Sequence, residues 1–297
     1  MKKFLKSLAA ILVVATALTG CATEKTVTDR EGNEVVIPTK LERIISTAPS
    51  NTEVLIGLGM ADKIVAVDNY SPTTDLAEGI VQIDFRNPDA ETIIGLEPDL
   101  IIASGHNKSG GEDPFAPIKE AGIPVVYLPS SVSFDAIYED ITFIAEVVGQ
   151  KKAGETMIEE MKAEVAKIVE IAATITEKKK VYLEISPAPY IYSTGSKTFQ
   201  NEILELIGAV NIFGAEEGWI SASEEAIIAA NPDVIITNVG YVEDPVTEIK
   251  AREGWTEITA IAEDKVFQVD GNASSRPSHN VVKALKEIAK AVYPDKY

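Results

Sequence analysis

Aromatic, basic and imidazole side chains follow the predicted strands of this chain, in the loops where an α/β sheet binds its ligands. In the first half they are Tyr70, Phe85, Arg86 and His106, and in the second half they are Tyr192, Trp219, Tyr241 and Arg276. Aromatic rings offer flat apolar surfaces, and arginine holds carboxylate groups through paired hydrogen bonds. This combination predicts a site that holds a small molecule by contact and charge.

Short apolar strands alternate with helices on both sides of one long amphipathic segment. Strands are predicted at 43–47, 64–67, 100–103 and 125–128, and again at 181–185, 234–237 and 265–269. This alternation indicates parallel sheets with helices on both faces, whose ligands bind beyond the carboxyl ends of the strands. Ser50 and Glu53 have the spacing of a capping box and predict the start of the first helix.

The long segment, residues 151–179, has apolar side chains three and four positions apart and no proline, as a helix requires. At 1.5 Å per residue it would extend roughly 40 Å, more than the width of one small domain. We therefore predict an α/β fold of two Rossmann-like lobes joined by a single long rigid helix, with a ligand cleft between the lobes. The alternative is one large domain with this helix packed on it. The predicted division is a signal peptide (1–20), a lipidated tether with a short hairpin (21–40), an N-terminal lobe (41–150), the connecting helix (151–179) and a C-terminal lobe (180–297).

A local repeat supports two matched lobes. The segment ETIIGLEPDLII, which starts at Glu91, matches EAIIAANPDVII, which starts at Glu225. Both indicate a helix, a Pro-Asp turn and a buried strand.

Charge and composition exclude several classes of function. The formal net charge of −19 makes nucleic acid and anionic membrane surfaces poor partners for the body of the protein. A site for a free transition metal needs three or four converging ligands, and the chain has only two histidines, His106 and His279. No metalloprotease or nucleophile-elbow motif is present, and the sequence from Gly195 to Thr198 lacks the first glycine of a phosphate-binding loop. We expect neither an enzyme nor a resident cofactor.

The N-terminus has the pattern of a processed export signal. Three lysines precede an apolar run of residues 8–20, which is too short to span a bilayer. The run ends in Leu-Thr-Gly-Cys, typical of a bacterial lipoprotein cleavage site, and Cys21 is the only cysteine. Lipidation at Cys21 would hold the protein extracytoplasmically, in the periplasm or at the outer face of the cytoplasmic membrane. The alternative is a stray cysteine after a conventional signal peptide.

Several fragments together resemble the solute-binding lipoproteins of ABC importers for cobalamin, ferric siderophores and haem, the class III periplasmic binding proteins. They are RIISTAPSNTEVLIGLG, KIVAV, EPDLIIASG, GIPVVYLP, STGSKTFQNEILELIGAVNIF, NPDVIITN and SRPSHNVVKALKEIAKAVYP. The resemblance covers nearly all of the mature chain. It implies two α/β lobes, a stiff helix between them and a small closing movement.

The resemblance also implies roles for particular residues. Glu91 and Glu225 match the glutamates through which this family docks on its permease, although both could be ordinary exposed helix residues. Tyr70, Phe85, Tyr192 and Trp219 fall where the cobalamin binders place their aromatic contacts. Arg86 and Arg276 suit carboxylate side groups or an anionic siderophore, but an Arg-Pro pair is also a structural feature of the family. His106 and His279 could each supply an axial metal ligand, or be a solvated loop residue or a helix cap.

We therefore expect a substrate-binding lipoprotein that captures a metal chelate, cobalamin or another corrinoid or a ferric siderophore, and delivers it to an ABC permease dimer. The alternatives are a haem-binding or a free-metal-binding lipoprotein of such an importer. We expect a monomer that contacts the membrane only through the lipid on Cys21 and does not bind nucleic acid.

Overall fold

The computed structural model describes residues 23–108 and 111–297. The predicted signal peptide and Cys21 lie outside these residues. Within them, the strands are β1 (Glu24–Thr28), β2 (Glu34–Pro38), β3 (Ile44–Ser46), β4 (Ile64–Asp68), β5 (Val81–Ile83), β6 (Leu100–Ser104), β7 (Val125–Leu128), β8 (Lys180–Glu184), β9 (Tyr192–Thr194), β10 (Val210–Asn211), β11 (Trp219–Ser221), β12 (Val234–Thr237) and β13 (Val266–Gln268).

The helices in the same residues are α1 (Pro49–Gly57), α2 (Ala90–Gly95), α3 (Ala116–Glu120), α4 (Phe134–Val147), α5 (Lys151–Ala172), α6 (Phe199–Leu206), α7 (Glu224–Ala230), α8 (Pro245–Lys250), α9 (Thr259–Ala262), α10 (Gly271–Ser275) and α11 (Val281–Val292). Short 3₁₀ turns occur at Ala61–Lys63 and Gly105–Lys108. In the part of the chain that is described, no helix is both long and apolar enough to cross a membrane.

Two parallel sheets lie on either side of α5 in the sequence, as predicted. In the described residues the first sheet has the strand order β5-β4-β3-β6-β7, and the second has the order β10-β8-β12-β13. All their pairings are parallel. We call the first sheet with α1–α4 the N-terminal lobe, and the second sheet with α6–α11 the C-terminal lobe. The two-lobed α/β fold class is confirmed, whereas the domain boundaries given above stay a prediction.

Side-chain alternation along the strands gives each sheet two buried faces. In β3, Ile44 belongs to an apolar cluster that continues into the C-terminal lobe, whereas its neighbour Ile45 belongs to a cluster within the N-terminal lobe. The shared cluster includes residues of α5, and this helix packs on α4 from one lobe and on α6 and α11 from the other. The two lobes are thus joined through a continuous core. A close-packed interior of this kind resists deformation.

Helix α5 is shorter than predicted. It ends at Ala172 after 22 residues, not at residue 179. The following Thr174 donates its hydroxyl to the Ile171 carbonyl at 2.7 Å, and its backbone N–H bonds the same carbonyl at 2.9 Å. β-branched residues and such local side-chain bonds both disfavour continued helix, and they end it here.

The predicted capping box at Ser50 and Glu53 is wrong. Pro49 begins α1 and Ala48 is its N-cap, without a side-chain cap. Proline is favoured at the first helical position because its N–H would be unpaired there. Ser50 and Glu53 therefore lie inside the helix, and Glu53 is free for the inter-lobe contact described below.

The repeat is confirmed in atomic detail. Glu97 and Asn231 occupy the same position before Pro-Asp, and both have positive φ, at 46° and 44°. Asp99 accepts a hydrogen bond from the backbone N–H of Arg43 at 2.9 Å, and Asp233 accepts one from Lys180 at 2.7 Å. In each lobe the repeat aspartate thus ties its strand to the start of the neighbouring strand.

Candidate functional site

A cavity of about 240 Å³ lies at the carboxyl ends of the N-terminal sheet. Its walls include Thr47 and Ser50 after β3, Ser104 and His106 at the end of β6, and Ser130 after β7. The C-terminal lobe contributes residues 275–277, which connect α10 to the last helix. The cavity, which we call the cleft pocket, is therefore an inter-lobe site with mainly N-terminal walls.

Strand order explains this location. The chain leaves β3 towards β4 on one side and later returns to β6 on the other side of β3. Loops that leave neighbouring strands in opposite directions open a crevice, and ligands of doubly wound sheets bind there. The cleft pocket lies at this point of reversal between β3 and β6.

Tyr70 and Phe85 form the aromatic part of the pocket. Their ring centroids are 6.2 Å apart at an angle of 67°, an edge-to-face pair. Tyr70 remains 68% exposed. Its backbone N–H donates to the buried carboxylate of Asp68 at 2.8 Å, so the end of β4 sets the position of this ring.

Arg86 lies beside this pair, and its guanidinium has no hydrogen-bond acceptor among the described residues. The guanidinium carbon is 5.2 Å from the Phe85 ring centroid, a cation–π distance. Among the described residues, nothing accepts a hydrogen bond from the Arg86 side chain, whereas the other four arginines each bond a carboxylate or a carbonyl. Arg86 is thus available to an anion from solution.

His106 projects from the loop after β6. Its Nδ1 is 2.8 Å from the Ser130 hydroxyl, which orients the ring. Partial burial and the positive charge of Arg86 lower the pKa of His106 below its usual value. The imidazole is therefore neutral at pH 7, the form that can bind a metal.

Arg276 lines the pocket, but its guanidinium is already engaged. It donates to the Glu53 carboxylate of α1 at 2.7 Å and to the Tyr70 carbonyl at 2.8 Å. Ser278 and Asn280 also donate to Glu53. Arg276 therefore holds the lobes together and supports Tyr70 from behind, while its predicted contact with ligand stays a prediction.

The predicted aromatic residues of the C-terminal lobe lie outside the lining of the cleft pocket. No strand is predicted at Trp219, but Tyr192 and Trp219 are on the antiparallel pair β9–β11, two residues out of register. Such diagonal neighbours share one face of the ladder. Trp219 is 60% exposed and Tyr241 is 73% exposed. Asn238, which follows β12, donates to Ser275 at 3.0 Å and so connects the Tyr241 loop to the pocket wall.

His279 lies away from the cleft pocket. It borders a second cavity behind the Arg276–Glu53 contact, and its Nδ1 is buried without a hydrogen-bond partner in the described residues. Burial lowers the pKa of His279, although Glu53 opposes this. The structure therefore separates the two histidines. Across the described residues, no three His, Cys, Asp or Glu side chains are grouped closely enough to hold a metal ion.

Two buried acids, Asp140 in the cleft pocket and Glu53 next to it in the second cavity, were not foreseen from the sequence. Glu53 has been described above; Asp140 of α4 forms part of the pocket lining and accepts hydrogen bonds from Arg30 and Ser131. Burial raises the pKa of Asp140, and these two partners lower it. The sequence does contain a signal for Asp140, because this acid falls on the apolar face of α4 together with Ile137, Ile141 and Ile144.

Glu91 and Glu225 occupy equivalent positions on the two lobes. Each is the second helical residue, after the side-chain N-caps Asp89 and Ser223. Both are exposed, and in the described part of the chain neither carboxylate has a hydrogen-bond or ion-pair partner. The adjacent Glu224 accepts a hydrogen bond from Trp255 Nε1 at 2.9 Å, which fixes the start of α7.

Comparisons with known proteins agree with this architecture. The family profile described as "Periplasmic binding protein" matches residues 44–273. An uncharacterised ABC transporter substrate-binding lipoprotein of Bacillus subtilis is 33% identical, over 100% of this chain and 99% of the relative. A vitamin B12-binding protein of Yersinia pestis is 30% identical over 66% of this chain and 69% of its own length. A crystal structure of a possible iron-binding periplasmic solute-binding protein from Staphylococcus epidermidis is 34% identical and has a TM-score of 0.76, covering 86% of this chain and 100% of that chain.

Proposed function

The chain belongs to the periplasmic binding protein family, and from this membership we propose that it captures a metal chelate outside the cytoplasm and delivers it to the permease of an ABC importer. As a substrate-binding protein of an ABC transporter it works with a permease and a small-molecule ligand, and it is not an enzyme. Attachment through a lipid on Cys21, action as a monomer and the identity of the chelate belong to the proposal.

The observation that carries the proposal is an aromatic pair at an inter-lobe pocket, made of Tyr70, which is 68% exposed, and Phe85, which is partly buried. Large apolar side chains left in water usually mark a binding surface. Here they lie beside the point of strand reversal, where ligands of this sheet topology bind. Flat aromatic rings bordered by polar side chains, such as Ser50, Ser104 and His106, suit a macrocycle or a bulky chelate that carries polar groups at its edge.

Size favours a ligand that extends beyond the pocket. Pockets for drug-sized molecules occupy about 300–1,000 Å³, and the cleft pocket has about 240 Å³. A corrinoid would therefore place one edge in this pocket and its remaining surface between the lobes. Tyr192, Trp219 and Tyr241 would then contact it from the C-terminal lobe. The names of the Yersinia relative and of a Halobacterium relative, a cobalamin-binding protein, support cobalamin as the first candidate.

Arg86 favours a second candidate, an anionic ferric siderophore. Its guanidinium is free of protein partners in the described residues and stands 5.2 Å from the Phe85 ring. A free arginine next to an aromatic platform suits a carboxylate or another anionic group of a chelate. Haem remains the alternative that would use the neutral His106 as an axial ligand.

Docking on the permease is proposed to use Glu91 and Glu225. Their equivalent positions, their exposure and the absence of a partner among the described residues support this role. Pairs of charges at a rim give orientation and rate of association more than affinity.

Tryptophan fluorescence tests the ligand. The chain has two tryptophans; Trp219 is 60% exposed, and Trp255 is fully buried. Titration with cyanocobalamin, haemin and hydroxamate, catecholate and carboxylate ferric siderophores should quench the Trp219 emission for one class at micromolar concentration. In Trp219→Phe the remaining Trp255 emission should respond much less, which controls for absorption by the ligand. Failure of all these compounds to bind would contradict the proposal.

A further inference from the structure

We propose that the turn of the N-terminal hairpin, residues 29–33, is a positioning element of the ligand site, because three of its residues, Asp29, Arg30 and Glu31, each hold a different wall of the cleft pocket. This inference rests on the proposed function only in that the pocket is taken to bind the ligand. The residues concerned are outside the pocket lining and would act through the residues that form it.

Asp29 fixes the turn and joins it to the sheet. Its buried carboxylate accepts hydrogen bonds from the backbone N–H groups of Glu31 at 3.0 Å and Asn33 at 2.8 Å, which makes the turn rigid. The same carboxylate accepts from the Tyr127 N–H at 3.0 Å, and the Arg30 N–H donates to the Tyr127 carbonyl at 3.1 Å. The turn is therefore hydrogen-bonded to the edge strand β7 at Tyr127, directly before the pocket residues 129–130.

Arg30 reaches the pocket floor. Its Nε donates to Asp140 Oδ1 at 2.9 Å, and its Nη2 is 2.7 Å from the Glu139 carboxylate. Asp140 is only 7% exposed and lines the pocket. A buried carboxylate without a cation is costly, so loss of Arg30 would force Asp140 to move or to take up a proton.

Glu31 holds the loop that carries His106. Its carboxylate forms an ion pair with Lys108, whose ammonium also lies 3.6 Å from the Tyr127 ring centroid. At the other end of the loop, a Cβ added at Gly105 would be 3.6 Å from Glu31 Oε1. Glu31 thus pairs with the last residue of the 3₁₀ turn Gly105–Lys108 and lies near its first residue, and His106 lies between them.

Lys25 provides a matched control on the same hairpin. Its ammonium donates to the carbonyls of Glu146 and Val147, both at 3.0 Å, at the C-terminal end of α4 and outside the pocket lining. Lys25→Gln therefore weakens hairpin docking without touching a pocket wall. Arg30→Lys keeps the positive charge near Asp140 and serves as the conservative variant.

The test measures two properties of the full chain, with thermal unfolding as a check on folding. The first is the dissociation constant of whichever of cyanocobalamin, haemin or the ferric siderophores the wild type binds. The second is the imidazole proton NMR signal of each histidine, assigned with His279→Gln. In Arg30→Gln/Glu31→Gln we expect affinity to fall about tenfold, as for loss of charged hydrogen bonds. The His106 signal should shift and that of His279 should not. The dissociation constant of Lys25→Gln should stay within about twofold of the wild-type value. Arg30→Lys/Glu31→Gln should recover part of the affinity lost in the double Gln variant.

Two results would overturn the inference. The first is an unchanged affinity together with an unchanged His106 signal in Arg30→Gln/Glu31→Gln. The second is an equal loss of affinity in Lys25→Gln, which would mean that the effect comes from the general stability of the hairpin. If the wild type binds none of the compounds, the proposed function fails, and the His106 signal alone decides on the hairpin. A shift in the double variant with no shift in Lys25→Gln supports it, and no shift refutes it.

Discussion

The guanidinium of Arg276, in the C-terminal lobe, lies 2.7 Å from the carboxylate of Glu53 on α1 of the N-terminal lobe. Both side chains are largely buried, at 16% and 7% exposure. The contact is a polar connection between the lobes in addition to the apolar packing of α5 on both of them. It also positions Tyr70, whose carbonyl accepts a hydrogen bond from the same guanidinium at 2.8 Å.

Loss of Arg276 should therefore destabilise the protein strongly. Removing one member of a buried ion pair leaves the other charge without compensation, which costs about 3–5 kcal/mol. We expect Arg276→Met to approach this range, discounted for its partial exposure, and Glu53→Gln/Arg276→Met to recover part of it. Urea unfolding of the two single variants and the double variant measures the coupling. Additive losses would show that the two residues act separately.

The buried Asp68 predicts a dependence of stability on pH. Burial raises its pKa above the ordinary value of 3.8, although hydrogen bonds from Ser71 and Tyr70 and the charge of Arg276 oppose the shift. A carboxyl group with a raised folded-state pKa stabilises the fold fully below its unfolded pKa, and this contribution is lost as pH rises through the folded value. Asp68→Asn cannot titrate, so its stability relative to wild type should rise between about pH 4 and about pH 7. Urea unfolding at both pH values measures this; a relative fall of Asp68→Asn would show that its partners, not burial, dominate.

The contact between α4 and α5 depends on Gly154. A Cβ at this position would lie 2.5 Å from the Cβ of Ala145 on α4. Gly154→Ala should cost about 1–3 kcal/mol, as overpacking usually does, and Ala145→Gly in the same chain should recover part of the loss. Gly95 of α2 is the control, because an added Cβ would meet nothing within 4 Å among the described residues. Gly95→Ala should be neutral or stabilising by up to about 1 kcal/mol, as measured by thermal unfolding. Equal effects of the two substitutions would contradict this account of the helix contact.

The docking proposal predicts a separation of uptake from binding. Glu91→Lys and Glu225→Lys place a positive charge where an arginine of the permease would meet it, so uptake of the chelate should be lost. Ligand affinity should stay within about twofold, because the changed side chains are exposed and lie outside the cleft pocket. Glu159→Lys, at an exposed position of α5, is the control. Equal loss of affinity would place these glutamates in the cleft or in the fold.

The repeat and the alternation of strands and helices were predictable because they depend on local patterns. Glu97 and Asn231, at matching positions of the repeat, even share the left-handed backbone conformation. The role of Glu53 was not predictable, because its partners Arg276 and Ser278 are 223 and 225 residues away in sequence. Likewise, the pairing of Arg30 with Asp140 depends on how the hairpin docks, which no local spacing encodes.

The most direct test of the account is a crystal structure of the protein with the chelate that it binds most tightly. The account predicts ligand density between the lobes, in contact with Tyr70 and Phe85 on one side and with Tyr192 and Trp219 on the other. Ligand density confined to another surface would contradict the account. So would an empty cleft in crystals grown with a chelate whose dissociation constant in solution is micromolar.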